Sequence, residues 1–301
     1  MSSTTKIRWA SASWNVGIGC EHVSPGCHAC YADALATKYA GKVGWPASFG
    51  EGIWKPEKLR LPAAWARNTK TQGPKRIFVN SLSDVHWERW STEQIDSLYD
   101  VMLEVPDHDY LVLTKRPQRM ARYFLGAAAT KVDGRSLERS DTGEIHPDGY
   151  LARRGLTELP PQVWLGTTIE MDRYSFRADW LRAVPANVRF LSCEPLIGHV
   201  HSLDLTGLHW VIEGGESGNG SRNFRELDWD WARDLRDRCA EAGVAFFHKQ
   251  GSGVRTEMYQ EIDGVRIEQY PLPHPETILF GQRAPVGIYT DAAPEVGVII
   301  G

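Results

Sequence analysis

The sequence predicts an α/β protein built as a (β/α) barrel, closed or partial, with about six to eight mostly parallel strands, a surface insertion and a C-terminal extension. Three observations carry that expectation. Short apolar runs recur along the chain, each run ends abruptly in polar residues, and helical patterns of about ten to fifteen residues separate one run from the next. Strands joined by helical crossovers form parallel sheets buried on both faces, and barrels of this kind gather their chemistry at the carboxyl ends of the strands. No G-x-G-x-x-G turn follows the first run, which tells against a doubly wound dinucleotide fold.

In chain order, Trp9 to Gly19 reads as the first strand, with Trp14, Val16 and Ile18 alternating, and Tyr31 to Tyr39 as a helix. Gly41 to Pro62 is turn-rich, and its Trp45, Phe49 and Trp54 read as covering side chains. Arg76 to Ser81 is the second strand. Tyr110 to Leu113 runs into Thr114-Lys115-Arg116, Val163 to Leu165 into Gly166 to Glu170, and Val188 to Leu191 into Ser192-Cys193-Glu194-Pro195. Trp210 to Ile212 then runs into Glu213 to Ser217, and Val244 to Phe247 into His248-Lys249-Gln250. Helices are expected over Thr92 to Glu104, with Ser91 as its cap, and over Pro117 to Ala129, Arg173 to Val184 and Trp229 to Ala242.

Residues 130–159 break the rhythm with glycines and charges and lack a sustained apolar period, so they are expected to be a mobile surface insertion. Beyond Gly251 the alternation stops, leaving a strand over Val265 to Tyr270 and a Pro-rich tail. The expected organisation is one barrel domain over 1–251 and an extension over 252–301.

Composition narrows the function classes. The net charge of -4 argues against a protein that coats nucleic acid or membrane non-specifically. The start lacks the apolar segment of a signal peptide and no run approaches about eighteen apolar residues, so a cytoplasmic protein without membrane contact is expected. A reducing compartment keeps cysteines as thiols.

Three of the five cysteines, Cys20, Cys27 and Cys30, lie within eleven residues. The Cys27 to Cys30 offset lets one turn of chain aim two sulfurs at a common point, and Pro25-Gly26 bends the chain so that Cys20 returns to it. Two soft-metal readings follow. Three thiolates on an iron-sulfur cluster leave one iron open to a small-molecule ligand. A zinc site completed by His22, His28 or a distant residue would instead make the chain a binding module for nucleic acid or protein. Cys193 and Cys239 read as core cysteines, His248 as a structural histidine, and Glu213 as a rim partner for Lys115 and Arg116.

The phrases Cys20-x6-Cys27-x2-Cys30-Tyr31-Ala32, Phe78-Val-Asn-Ser-Leu-Ser-Asp84, Leu113-Thr-Lys-Arg-Pro117, Ser192-Cys-Glu-Pro-Leu196 and Gly214-Gly-Glu-Ser-Gly218 resemble a phage and bacterial three-cysteine-motif family over roughly Ile7 to Gly251. That family in turn resembles radical S-adenosylmethionine enzymes, whose cluster loop follows the first strand of a partial barrel. The resemblance implies a [4Fe-4S] cluster on Cys20, Cys27 and Cys30 and S-adenosylmethionine as cofactor. It also implies an electron donor and a 5′-deoxyadenosyl radical that modifies a substrate. Asn80, Ser81 and Asp84 then stand where the cofactor's amino group is bound, Lys115 at its carboxylate, and Glu194 or Glu216 at its ribose hydroxyls. The cysteine spacing is wider than the usual Cys-x3-Cys-x2-Cys of those enzymes, and the Gly-Gly-Glu element comes late in the chain. Lys115, Arg116, Arg119 and Arg122, with Arg153 and Arg154, are compatible with a nucleotide or nucleic-acid target, with a small metabolite or a peptide as the alternatives. A partner protein is a further expectation.

Overall fold

The computed structural model describes residues 5–67, 73–126, 131–132, 135–136, 146–218, 220, 222–271 and 288–290. Seven strands form an all-parallel sheet: β1 (Ala12–Trp14), β2 (Arg76–Val79), β3 (Asp109–Thr114), β4 (Val163–Thr168), β5 (Val188–Cys193), β6 (Trp210–Glu213) and β7 (Ala245–His248). They stand in the sheet in chain order. An open doubly wound sheet reverses its strand order at a switch point, whereas this order never reverses, and the expected partial (β/α) barrel is what the chain adopts. All six residues of β4 and all four of β6 and of β7 are buried, the continuous burial that a sheet covered on both faces requires.

Two compact units share the chain. One runs to Thr168 and takes in Phe176–Asn187; the other takes Ile169–Ser175 and the chain from Val188. The first holds β1 to β4 with α1 (Tyr31–Lys38), α2 (Leu61–Ala66), α3 (Thr92–Glu104), α4 (Pro117–Leu125), α5 (Tyr150–Arg153) and α6 (Arg177–Ala183). α3 opens on the expected cap: Ser91 Oγ accepts from the Gln94 amide at 3.3 Å and Gln94 Oε1 from the Ser91 amide at 2.9 Å, satisfying two otherwise orphaned donors. Its Ile95, Leu98, Tyr99 and Met102 repeat at helical spacing and are buried. α4 stops at Gly126 with φ +62, a backbone state that favours glycine, so the helix ends short of the expected Ala129. Residues 127–129 lie outside the described residues.

The first strand is shorter than expected. After Trp14 the chain leaves the parallel sheet, and Gly17–Ile18 pairs antiparallel with Ile53–Trp54. The turn-rich stretch therefore carries the strand Ile53–Trp54 and a 3-10 turn over Pro56–Lys58 and leads into the short helix α2, all too brief to show a period in sequence. The expected insertion also narrows. Tyr150, Leu151 and Leu159 are buried, the Tyr150 ring stacks on Tyr123 at 5.4 Å, and its hydroxyl donates to Asp100, so residues 146–159 are part of the packed fold. Most of 130–145 lies outside the described residues.

The second unit holds β5 to β7 and α7 (Trp229–Glu241). Cys193 and Cys239 are fully buried there, as expected. Past Gly251 the chain goes on packing against β6 and β7. Tyr270 packs against Trp210 and Phe247, the His248 amide donates to the Ile267 carbonyl at 2.9 Å, and the Phe246 amide donates to Gln269 Oε1. Residues 252–271 thus cover the outer edge of β7, which would otherwise present unpaired amides. The strand expected over Val265 to Tyr270 is present as Gln269–Pro271, paired with Ile288–Thr290. Among the described residues no helix is long and apolar enough to cross a membrane.

Burial at the start of β3 gives a pH signature. It pushes the Asp109 carboxyl up to about 6 against the opposing pull of Arg76. A raised carboxyl favours the fold while protonated, so this contribution is full below about pH 4 and is lost as pH rises through about 6. Asp109→Asn should flatten that fall and stabilise the protein by about 2 to 3 kcal/mol at pH 7.5, with little gain at pH 4. Urea unfolding at both pH values measures it, and equal shifts at the two would refute the assignment.

Candidate metal and cofactor site

The site is built where β1 to β4 end. The chain leaving β1 reaches Gly19, whose amide donates to the Leu82 carbonyl while its own carbonyl accepts from Ser83 Oγ at 2.6 Å. Gly19 has φ +118, and a Cβ there would stand 2.5 Å from the Gly52 Cα, so only glycine lets the two backbones cross. The next amide, of Cys20, donates to the Phe49 carbonyl. A 3-10 turn over Pro25–Cys27 brings the chain back, and Cys30 begins α1 as its N-cap. The loop is held at both ends.

Cys20, Cys27 and Cys30 line one cavity of about 120 Å³ with Ser81, Ser83, Asp84, Lys115 and Arg116, while Ala32, Phe49 and Phe78 supply apolar wall. Burial pushes the Cys20 thiol up to about 12, with the Asp84 charge adding to it and Arg116 opposing it. Burial also raises Cys30, although the amides of Asp33 and Ala32 at the start of α1 favour its thiolate. Thiols in this state stay protonated at neutral pH and are poor nucleophiles; a bound soft cation is what ionises them.

Among the described residues no three His, Cys, Asp or Glu side chains are grouped as ligands of a single metal ion. A closed zinc site needs four ligands converging on one point, whereas the thiolates of a cluster bind separate irons and stand further apart. Of the two histidines expected as a fourth ligand, His22 lines the cavity but pairs with Asp33 at 3.1 Å, and His28 is exposed and does not line it. The three cysteines around a common cavity are soft donors of the kind that either metal reading requires.

Asp84 organises the wall. Its carboxylate accepts from the His86 amide at 2.9 Å, the Thr114 hydroxyl at 2.7 Å, the Lys115 amide at 2.9 Å and Arg116 Nη1 at 3.2 Å. Burial opposes its charge, but Arg116 and these donors outweigh burial and hold the carboxyl below the usual carboxylate range. Arg116 is equally engaged: it donates to Glu88 at 2.6 Å, to Cys20 Sγ at 3.4 Å and to the Glu21 carbonyl at 3.2 Å.

The expected cofactor residues divide. Ser81, Asp84 and Lys115 lie on the cavity wall. Asn80 does not line it. In a left-handed conformation with φ 54, Asn80 accepts the Val16 and Gly17 amides on its side-chain oxygen and so turns the chain away from the sheet. Glu194 and Glu216 belong to the second unit, where they pair with Lys249 and Arg225. Glu213 is buried against His248 Nδ1 at 2.6 Å, so it serves that histidine in place of Lys115 or Arg116. Phe49, expected only as a covering side chain, is part of the cavity wall, and the contact of Arg116 with Cys20 had no signal in the sequence beyond the polar Thr114-Lys-Arg-Pro117 strand end.

The basic residues read as facing nucleic acid are largely engaged within the protein. Arg119 is buried and donates to the His86 and Trp90 carbonyls. Arg153 pairs with Asp96 and Arg154 with Asp100.

Asp84→Asn should be among the most damaging single changes in this wall. It leaves the Arg116 guanidinium without its buried counter-charge and turns an amide donor toward other donors, a loss of about 3 to 5 kcal/mol. Urea unfolding checks this, and a loss under about 1 kcal/mol would mean that the pair does not hold the wall together.

No curated protein and no solved structure matches the chain. A family match runs over residues 4–271, which takes in the cysteine loop, the seven strands of the parallel sheet and the segment covering the edge of β7. The chain belongs to that family, DUF5131, described as proteins of unknown function.

Proposed function

We propose that the chain is an iron-sulfur enzyme of the radical S-adenosylmethionine type, with a [4Fe-4S] cluster on Cys20, Cys27 and Cys30. The observation that carries this reading is the placing of three thiols, Cys27 buried and Cys20 and Cys30 half-buried, around one cavity at the carboxyl ends of parallel strands, beside polar groups fit for a small zwitterion. When bound, the reduced cluster supplies the electron that splits the cofactor's sulfonium into methionine and a 5′-deoxyadenosyl radical, which takes a hydrogen atom from substrate.

The chain's own residues bind and shield. Lys115 sets an ammonium group on the cavity wall, suited to the cofactor's carboxylate, and the hydroxyls of Ser81 and Ser83 add polar contacts. Asp84 has a different part from the one its motif implies. Four protein donors already fill the acceptor sites of its carboxylate, so it holds Arg116 and the β3 end in place and does not take up the amino group. Phe49, Phe78 and Ala32 keep water from the cavity floor. The electron comes from a donor outside the chain. Arg116, Arg119, Arg153 and Arg154 are engaged within the protein, so these four do not single out nucleic acid as the substrate.

Anaerobically reconstituted protein should hold about four irons with matching sulfide and, once reduced, turn S-adenosylmethionine slowly into 5′-deoxyadenosine without substrate. Cys20→Ala, Cys27→Ala and Cys30→Ala should each abolish the product, whereas Cys193→Ala and Cys239→Ala should keep it at a packing cost of about 1 to 2 kcal/mol. Metal analysis and chromatography of the product decide. One zinc per chain without iron or sulfide would replace the reading with a zinc-binding module, and a reducible cluster without 5′-deoxyadenosine would leave an electron carrier.

A further inference from the structure

Arg116 is the residue of the cavity wall whose contacts the sequence least foretells. It follows β3, yet its guanidinium crosses to the cysteine loop and donates to Cys20 Sγ at 3.4 Å and to the Glu21 carbonyl at 3.2 Å. Its other donors meet Asp84 and Glu88, and the side chain is only 6% exposed. Among the described residues no arginine or lysine donates a hydrogen bond to Cys27 or Cys30; Cys27 faces Ser24 Oγ at 3.7 Å. Cys20 is thus the thiol of the three that takes a hydrogen bond from a cation, whereas Lys115 acts on Cys30 through its charge.

We infer that Arg116 is a positioning and tuning residue for the cluster: its hydrogen bond sets Cys20 apart from the other two ligands, and its charge raises the cluster's reduction potential. The inference rests on the iron-sulfur reading above. Its physical basis is that reduction adds a negative charge shared between iron and thiolate sulfur, and a donor with a fixed positive charge stabilises that charge more than the oxidised form. Low exposure leaves little water to screen it. Glu88 enters with the opposite sign. At 2.6 Å from Arg116 Nε, it offsets part of the arginine's charge at Cys20.

Two variants therefore move the potential in opposite directions, which a purely structural arginine does not do. In Arg116→Gln the cluster should be harder to reduce; in Glu88→Gln, where the arginine stays and its counter-charge goes, it should be easier. Arg116→Lys keeps a charge but loses the fork and should fall between Arg116→Gln and the parent protein. The readout is the midpoint potential from a redox titration followed by electron paramagnetic resonance, on protein normalised for iron and sulfide. Glu88 has a side chain 37% exposed, so its variant should fold even where Arg116→Gln does not. A parent protein that takes up no iron overturns the cluster and this inference together. An iron-loaded parent whose Glu88→Gln potential is unchanged or lower overturns this inference alone.

Discussion

The buried pairing of Asp84 with Arg116 is the interaction on which the rest of the first unit's functional end depends. Two charges taken out of water lose several kcal/mol of solvation each, and their mutual attraction restores it only when the remaining donors and acceptors are also matched. Here they are. Asp84 receives four donors from the turn after β2 and the end of β3, and Arg116 spends its remaining donors on Glu88, Cys20 and the Glu21 carbonyl. A matched pair of this kind favours one arrangement over its neighbours, because any shift of the cysteine loop leaves guanidinium donors unpaired in a dry place.

The loop's other end depends on backbone contact in place of charge. Gly19 and Gly52 cross within the space of a missing Cβ, and Gly52 is itself walled by the Trp87 ring. That crossing lets the Cys20 amide reach the Phe49 carbonyl and places Phe49 beside Ala32 and Ala36 of α1, with Cys20 and Cys30 packed around the same small cluster. Metal-ligand loops need both kinds of restraint. Backbone crossings fix where the chain runs, while side-chain donors fix where each sulfur points.

Most of the architecture was legible because parallel strands buried on both faces write themselves as apolar runs, and because Ser91 and Pro117 mark helix starts by chemistry that acts within one turn. What stayed illegible depended on contacts distant in sequence. Alternation in Trp14, Val16 and Ile18 suggested one strand, but the pull of Asn80 on the Val16 and Gly17 amides ends it at Trp14. Residues 146–159 looked mobile because their burial rests on three scattered side chains, without a period, and their arginines looked available because Asp96 and Asp100 lie on a helix some fifty residues earlier. The three cysteines were legible as a group; that Arg116 would touch only Cys20 was not.

A polar strand end therefore has two physical outcomes, and the motif alone does not choose between them. In the first unit the ends of β1 to β4 leave a cavity among their side chains. In the second the ends of β5 to β7 match their charges internally: Glu194 with Lys249, Glu213 with His248, Glu216 with Arg225. Lys249 and Glu194 are both mostly shielded from solvent, so a hydroxyl seeking Glu194 must share the carboxylate with an ammonium ion already in place. A neutral hydroxyl does not displace a cation there, because the lysine would be left buried and unpaired. A ligand carrying its own carboxylate or phosphate would fare better, since it gives Lys249 a replacement anion while Glu194 turns to a new donor.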